Sequence, residues 1–594
     1  MHFNRISPQN NAKIWAECEE SMKKAIPVLI AIILILIIGG VAFGSQLIEK
    51  YSYSNERADL YEYFHIVKED EIAIILQNEL IQEKAILSGG VCYFDFDTVQ
   101  KYFNDRFYID EVEQLLLYTT PTQIIRTELS STVCHIGEAA VYLDYIPCFS
   151  RVGGERTTYY IAVDFVKQYA NFSYQLYEEP YRMQIYTEWE EEQVADITKD
   201  TAVRILGGVK SPILREVTAA ETVIILEQME TWCKVKTGDG FVGYVENKYL
   251  ENERTDSKIP VTDYEEPEYT SLTKNEKIAL GWHAIYATDG NSTLGDTIAD
   301  ADGLTVIAPT WFSVSDDAGG LRSFASSSYV DRAHNAGLEV WGVVDDFNYE
   351  DTFGTDVDVP AVLAATTTRT ALIDNIISAA QSCGMDGINI DFERINDSKE
   401  GADFIQFLRE LSIRCRELGL VLSVDNYVPY DFNSRYNLAE QGVVADYVII
   451  MAYDEHWAGS PVAGSVSSIE YVRYSIDKTL EYVPENKIVT ALPFYTRLWK
   501  TVGTEVSSEA YPMTSVDNVL STYGMEKIWD DATSQNYAEA TVGDNFYQMW
   551  VEDLQSFNVK LTVMQNYNLG GVAAWRLGYE PASVWELIGT YMGQ

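Results

Sequence analysis

Residues 384–393 read GMDGINIDFE, and within them Ile388, Ile390 and Phe392 alternate with Asn389, Asp391 and Glu393. Successive side chains of a strand point to opposite faces, so the three polar groups share one face. Two carboxyl groups two residues apart on such a face are placed to share a proton. One then serves as an acid while the other is charged, the arrangement that proton-transfer catalysis needs. The plainer reading is a polar row turned to water on an antiparallel strand. Asp386 has the parity of the apolar set, which predicts a structural hydrogen bond for it instead.

The neighbours decide between these readings. From about residue 276 strand-like runs alternate with helical stretches, the pattern of a parallel α/β fold. Eight strands are expected in KIALGWHAIY, GLTVIAPTWF, LEVWGVVDDF, MDGINIDFE, LVLSVDNYVP, DYVIIMAYD, KIVTALPFYTR and LGGVAAWRL. Eight strand–helix units over 276–594 fit a (β/α)8 TIM barrel. A doubly wound sheet is the alternative, but no Gly-rich phosphate loop follows the first strand. In a barrel both strand faces are covered, so Ile388, Ile390 and Phe392 meet the helices while Asn389, Asp391 and Glu393 point inward. Burying carboxylates costs several kcal/mol each unless they are hydrogen-bonded or functional. Glu393 falls at the C-terminal end of its strand, the rim where barrel active sites are built.

DGINIDFE is similar to the Asp-Gly-x-Asp-x-Asp-x-Glu signature of glycoside hydrolase family 18, the chitinase-like barrels. MAYDEHW (451–457) resembles that family's Met-x-Tyr-Asp, LPFYTR (492–497) its Pro-Phe-Tyr-Gly-Arg, and GGVAAWRL (570–577) its Gly-Gly-x-x-x-Trp. YDEHW and the closing YQMWVEDLQSF look most like the spore-cortex and cell-wall lysin branch. The resemblance covers about 276–594 and implies a substrate-assisted reaction, in which the sugar's own acetamido oxygen replaces an enzyme nucleophile. Under it Glu393 is the general acid, its pKa raised by burial and by Asp391. Asp391 orients the acetamido N–H, and Tyr453 donates to the acetamido oxygen. Trp575 floors the distorted sugar, and Asn389, Asp454, Tyr495 and Arg497 complete the substrate-binding rim. Trp575 as core, Asp454 as a brace and Arg497 as a salt-bridge partner are the structural alternatives. Two positions depart from the family pattern. Asn389 replaces an Asp, which predicts an Asp391 that is easier to deprotonate. Thr496 replaces a Gly, which predicts a locally narrower rim.

The rest of the chain sets the context. Residues 26–44, IPVLIAIILILIIGGVAFG, carry no charge and are long enough to cross ~30 Å of hydrocarbon. Lys23 and Lys24 precede them, so residues 1–25 are expected in the cytoplasm and the bulk of the chain outside. Ala42-Phe43-Gly44 also resembles a signal-peptidase site, which gives a secreted product as the alternative. A stalk over 45–70 leads to a small α+β domain over 71–197. Its segment TYYIAVDFVKQYANFSYQLYEEPYRMQIYT loosely resembles the N-terminal domain of copper amine oxidases, with no copper implied. Residues 198–251 are short strands ending in WCKVKTGDGFVGYVENKYL, which looks like a bacterial Src homology 3 domain, a small all-β barrel. Trp232 and Tyr244 there face either a ligand or the core. A linker is expected over 252–275.

The 43 Lys+Arg against 90 Asp+Glu give a net charge of -47. Such a field repels phosphate backbones and anionic surfaces, which excludes nucleic acid and favours a neutral glycan as partner. Seven scattered Cys and six dispersed His have no metal-ligand spacing, so neither a metal nor a cofactor is expected. Cys134 and Cys148 either pair or sit as buried thiols. The expectation is a membrane-anchored, outward-facing hydrolase of β-1,4 N-acetylglucosamine glycans, with peptidoglycan preferred. Chitin-type oligosaccharides are the alternative substrate, and an inactive, lectin-like wall-binding protein is the alternative function.

Overall fold

A computed structural model describes residues 8–154, 156–257, 262, 264–347 and 357–593, with backbone alone over 8–21 and at 24, 25, 44, 45, 47 and 48. Residues 1–7, the side chain of Lys24, and linker positions 258–261 and 263 lie outside the described residues. The chain forms two compact units. One comprises Met1–Thr98 with Ile161–Tyr264, the other Val99–Tyr160 with Glu265–Gln594. The segment read as 71–197 is therefore divided between them.

The second unit contains a closed parallel barrel. Its strands are β1 (Ile278–His283), β2 (Val306–Val314), β3 (Glu339–Asp345), β4 (Gly387–Asp391), β5 (Val421–Tyr427), β6 (Tyr447–Met451), β7 (Ile488–Pro493) and β8 (Gly571–Trp575). Each pairs in parallel with the next, and β1 pairs with both β2 and β8, which closes the ring. The strand parities sort side chains into two cores. Leu280, Trp282, Trp341, Val343, Tyr447, Ile449 and Ala573 fill the interior. Ile388, Ile390 and Phe392 join the layer between strands and helices, as the alternation predicts. Phe392 packs on Phe404 (6.0 Å) and Phe407 (5.6 Å) of the helix Ser398–Leu418. Burying such a ring contributes about 1.5–3 kcal/mol, and this contact fixes which face of β4 looks inward.

The punctuation around β4 is local. The preceding helix, Thr366–Cys383, stops because Gly384 takes φ +73°, the left-handed conformation that glycine adopts without steric cost. A Cβ at Gly387 would lie 2.7 Å from the Trp341 ring and 2.8 Å from the Val421 carbonyl, so only glycine lets β4 approach its neighbours. Asp386 accepts from the Val340 N–H and from His334 Nε2, both at 2.8 Å, the expected structural role. After the strand, Asp397 caps the next helix by accepting from the N–H groups of Lys399 and Glu400.

Two additions were not anticipated. Between β7 and β8 the chain builds a five-stranded antiparallel sheet whose first strand is Tyr495–Val502. Tyr495 and Arg497 thus stand on this insert and not on β7. Thr496 is buried, and its hydroxyl donates to the Trp550 carbonyl (2.5 Å), which ties the insert together. The second addition is a five-stranded antiparallel meander, Phe107–Asp110 to Ala139–Tyr142, which docks on the barrel's helices. Arg106 and Arg409 both pair with Glu440 (3.1 and 2.7 Å), and Tyr108 donates to Asp403 (2.6 Å). Cys134 and Cys148 are buried free thiols.

The first unit carries the helix Pro8–Tyr51, whose Ile26–Phe43 stretch has a mean hydropathy of 3.1 and no buried surface. It also holds a mixed sheet in which Glu71–Leu76 pairs in parallel with Arg182–Tyr186. A seven-stranded antiparallel sheet runs from Glu191–Ile197 to Leu250–Ser257 around Val203, Leu214, Cys233, Val235 and Val245. It thus extends beyond the 198–251 expected from sequence, into the segment read as linker. Trp232 and Tyr244 are both half-buried in it.

Candidate active site

Strand register assembles the inward polar groups at one level of the barrel. Asp345 on β3 lies opposite Asp391 on β4. On the other side Asn389 pairs with Ser423 and Ile390 with Val424, so carrying the register on by one residue sets Asp391 beside Asp425 on β5. Asn389 is wholly buried. Its Oδ1 accepts from the Trp282 indole N–H (3.0 Å), and its Nδ2 donates to Ser423 Oγ (3.0 Å) and to Asp425 Oδ1 (2.8 Å).

Asp391 is the central carboxyl. Its Oδ1 is buried without a hydrogen-bond partner. Burial, followed by the charges of Glu393, Asp425, Asp345 and Asp346, holds it well above the usual carboxylate range. The amide at 389 adds no charge to this set, but Asp425 and the β3 carboxylates still surround Asp391 with negative charge.

Glu393 lies just beyond the end of β4. Its backbone N–H donates to Asp346 (3.1 Å), as does that of Arg394 (2.8 Å), which fixes the turn that carries it. Burial raises its pKa to about 7, aided by Asp346, Asp454 and Asp345 and opposed by a hydrogen bond from Tyr427. Asp345 rises to about 6, again chiefly through burial, although Ser313 Oγ (2.7 Å) and the Phe347 N–H (3.1 Å) donate to it. The mouth therefore holds a carboxylic acid near its midpoint at neutral pH, the state in which a group can give and retake a proton.

The remaining predicted residues ring this cluster. Tyr453 follows β6 and packs against the interior core, its ring edge-on to Tyr495 at 6.3 Å. Burial and the charges around it keep its hydroxyl far above the ordinary phenol value, so it remains a neutral donor. Tyr495 donates to Asp454 Oδ1 (2.6 Å), and Arg497 lies 3.6 Å from the same oxygen. Asp454 has φ +56°, a conformation costing on the order of 1 kcal/mol for a residue with a Cβ. Asp454 thus holds Tyr495 and lies beside Arg497. Trp575 ends β8, half-buried, 6.0 Å from the Trp282 ring, and closes the top of the interior core. Beside Tyr427 opens a cavity of about 240 Å³, lined among others by Tyr430, Tyr436 and Tyr474. Tyr430 stacks there between Phe432 (5.4 Å) and Tyr474 (5.0 Å).

Sequence reasoning missed Asp345, Asp346, Asp425, Tyr427 and Trp282. The signal for three of them was present. Trp341, Val343 and Asp345 alternate inward along β3, and Ser423, Asp425 and Tyr427 do so along β5, by the same parity that singled out β4.

Several known proteins are similar to this chain. The bacterial SH3 domain model matches residues 199–251. The putative sporulation-specific glycosylase YdhD of Bacillus subtilis is 29% identical over 243 residues, 39% of this chain and 56% of the relative. The cortical fragment-lytic enzyme of Bacillus anthracis is 28% identical over 238 residues, 38% of this chain and 54% of the relative. The chain therefore spans little more than half the length of these two relatives. Among solved structures, the spore cortex-lytic enzyme SleL of Bacillus cereus has a TM-score of 0.48 at 21% identity, over 54% of this chain and 75% of that one. The family model for glycosyl hydrolases family 18 matches residues 282–580, half of the sequence, with β4 and the ends of β6 and β8 inside it. The chain belongs to glycosyl hydrolases family 18.

Proposed function

We propose that the chain hydrolyses β-1,4-linked glycans containing N-acetylglucosamine, with peptidoglycan as the preferred substrate and chitin-type oligosaccharides as the second. The observation that carries this reading is Glu393, a half-buried carboxylic acid with a pKa of about 7 at the mouth of the barrel, two residues from Asp391. Glu393 protonates the leaving oxygen as the glycosidic C–O bond breaks, and the acetamido oxygen of the same sugar closes on the anomeric carbon. Asp391 orients the acetamido N–H, and the neutral Tyr453 hydroxyl donates to the oxygen that attacks. Glu393, now a carboxylate, takes a proton from the water that opens the oxazolinium ring. Two displacements at one carbon retain its configuration. Trp575 floors the sugar, Asp454, Tyr495 and Arg497 hold the walls, and the buried Asn389 supports the site from within the barrel.

The preference for peptidoglycan draws on the bacterial SH3 domain and on relatives named as cortical fragment-lytic enzymes. The apolar helix Ile26–Phe43 would anchor the chain, and Lys23 and Lys24 before it favour an extracytoplasmic barrel. Cleavage near Gly44 would give a secreted form. A second reading, a lectin-like wall-binding protein without turnover, draws on the amide at Asn389.

Defined muropeptides and chitooligosaccharides, with product ends identified by mass spectrometry, separate these readings. New reducing ends from muropeptides support the first. Cleavage of chitooligosaccharides alone moves the substrate to chitin, and binding without product supports the lectin.

A further inference from the structure

We propose that Asp425 on β5, held by the Asn389 amide, supplies the inward carboxylate that the β4 motif lacks at 389 and acts on Asp391 beside it as a positioning residue. The proposal rests on the glycosidase reading above.

The amide has one possible orientation. The Trp282 indole can only donate, so the oxygen of Asn389 must face it and the nitrogen must face Asp425. A carboxylate at 389 would set two oxygens 2.8 Å apart with no hydrogen between them, unless a further proton were bound. An amide on β4 and a carboxylate on β5 are thus two halves of one exchange. The row keeps its charge, moved across one strand.

The donors in the row also divide its protons. Burial raises Asp425 well above the usual carboxylate range, but Asn389 donates to it and opposes that rise, whereas Asp391 Oδ1 has no donor. That donor makes Asp425 the first of the two to lose its proton and leaves Asp391 the one that keeps it. A protonated Asp391 has one oxygen free of its proton to accept an acetamido N–H. Asp391 also faces Glu393 on its own strand and Asp345 and Asp346 from β3. Tyr427 from β5 and Tyr453 after β6 feel its charge, and the Arg322 guanidinium acts on Asp345. The row is not a cation cage, since among the described residues no group of three or more His, Cys, Asp or Glu is arranged to hold a metal ion.

Three variants test this: Asp425→Asn, Asn389→Asp, and the two combined. Each is assayed for kcat and for its pH profile on a substrate that the wild-type chain cleaves. Each is also assayed for affinity toward chitobiose thiazoline, a stable mimic of the oxazolinium ring, by calorimetry from pH 5 to 8. Asp425→Asn is expected to lower kcat about 100-fold, to weaken thiazoline binding, and to move the pH dependence of both toward lower pH, because one negative neighbour is gone. Asn389→Asp should move it toward higher pH. The combined variant returns one carboxylate and one amide to the row, and should recover kcat to within about tenfold of wild type. Recovery by the pair when Asp425→Asn alone fails to fold also supports the proposal. An Asp425→Asn protein with wild-type kcat and pH dependence overturns it, as does a folded double variant no better than Asp425→Asn. A wild-type chain that cleaves nothing defeats the glycosidase reading alone, and the thiazoline profiles then decide the proposal by the same shifts.

Discussion

The barrel mouth and the surface where the 107–142 meander docks both bury carboxylates, and they treat them in opposite ways. At the dock, burial pushes Glu440 upward, but Arg409 and Arg106 outweigh it and hold its pKa below the ordinary value. Arg369 likewise pairs with Glu410 at 2.9 Å, both side chains almost fully buried. At the mouth, Asp345, Asp391, Asp425 and Glu393 face one another, and all four are raised. A buried carboxylate matched by guanidinium is a fastener. One matched by other carboxylates must keep a proton, and a retained proton is what acid catalysis uses.

Neutralising one carboxylate in each region should therefore separate rate from stability. Glu393→Gln is expected to lower kcat by about 10³-fold or more while leaving glycan binding and thermal unfolding close to wild type, as read by calorimetry and circular dichroism. Glu440→Gln leaves two arginines without their partner and should cost about 3–5 kcal/mol in denaturant unfolding, with kcat of the folded fraction little changed. Loss of turnover in Glu440→Gln at full stability would break the comparison.

The same contrast has a sign in pH. Glu393 and Asp345 have raised folded-state values, so the stability they contribute is full below their ordinary values of 4.5 and 3.8. It is lost as pH rises through about 7 and about 6. Glu440 has a lowered value, so its contribution is full above 4.5 and is lost as pH falls through its folded-state value. Urea midpoints measured from pH 3 to 9 should show alkaline weakening reduced in Glu393→Gln and acid weakening reduced in Glu440→Gln. A smaller effect sharpens the mouth itself. The Tyr427 hydroxyl stabilises the Glu393 anion, so Tyr427→Phe should shift the descending limb of kcat/KM to higher pH by a fraction of a unit.

How much of this was legible depends on the range of the signal. The parity of β4 was readable because alternation is local, and the structure turns Ile388, Ile390 and Phe392 outward as expected. The carboxylates of β3 and β5 obey the same parity but lie outside the motif that drew attention, and only barrel register brings them beside Asp391. Tyr495 was assigned to β7 because the apolar run continues through Pro493, although the chain leaves the barrel there. The docking of the meander was not readable. Its period-two pattern says that a face is buried, not against what, and Arg106 and Glu440 meet across 334 positions of sequence.

Glu393 is proposed to work as a protonated acid. The pH dependence of kcat/KM on one defined glycan, for wild type and Glu393→Gln side by side, tests this proposal most directly. The wild-type rate is expected to fall as pH rises through about 7, with no measurable turnover for Glu393→Gln. A variant that cleaves at near wild-type rate, or a wild-type rate that stays level through that range, would contradict it.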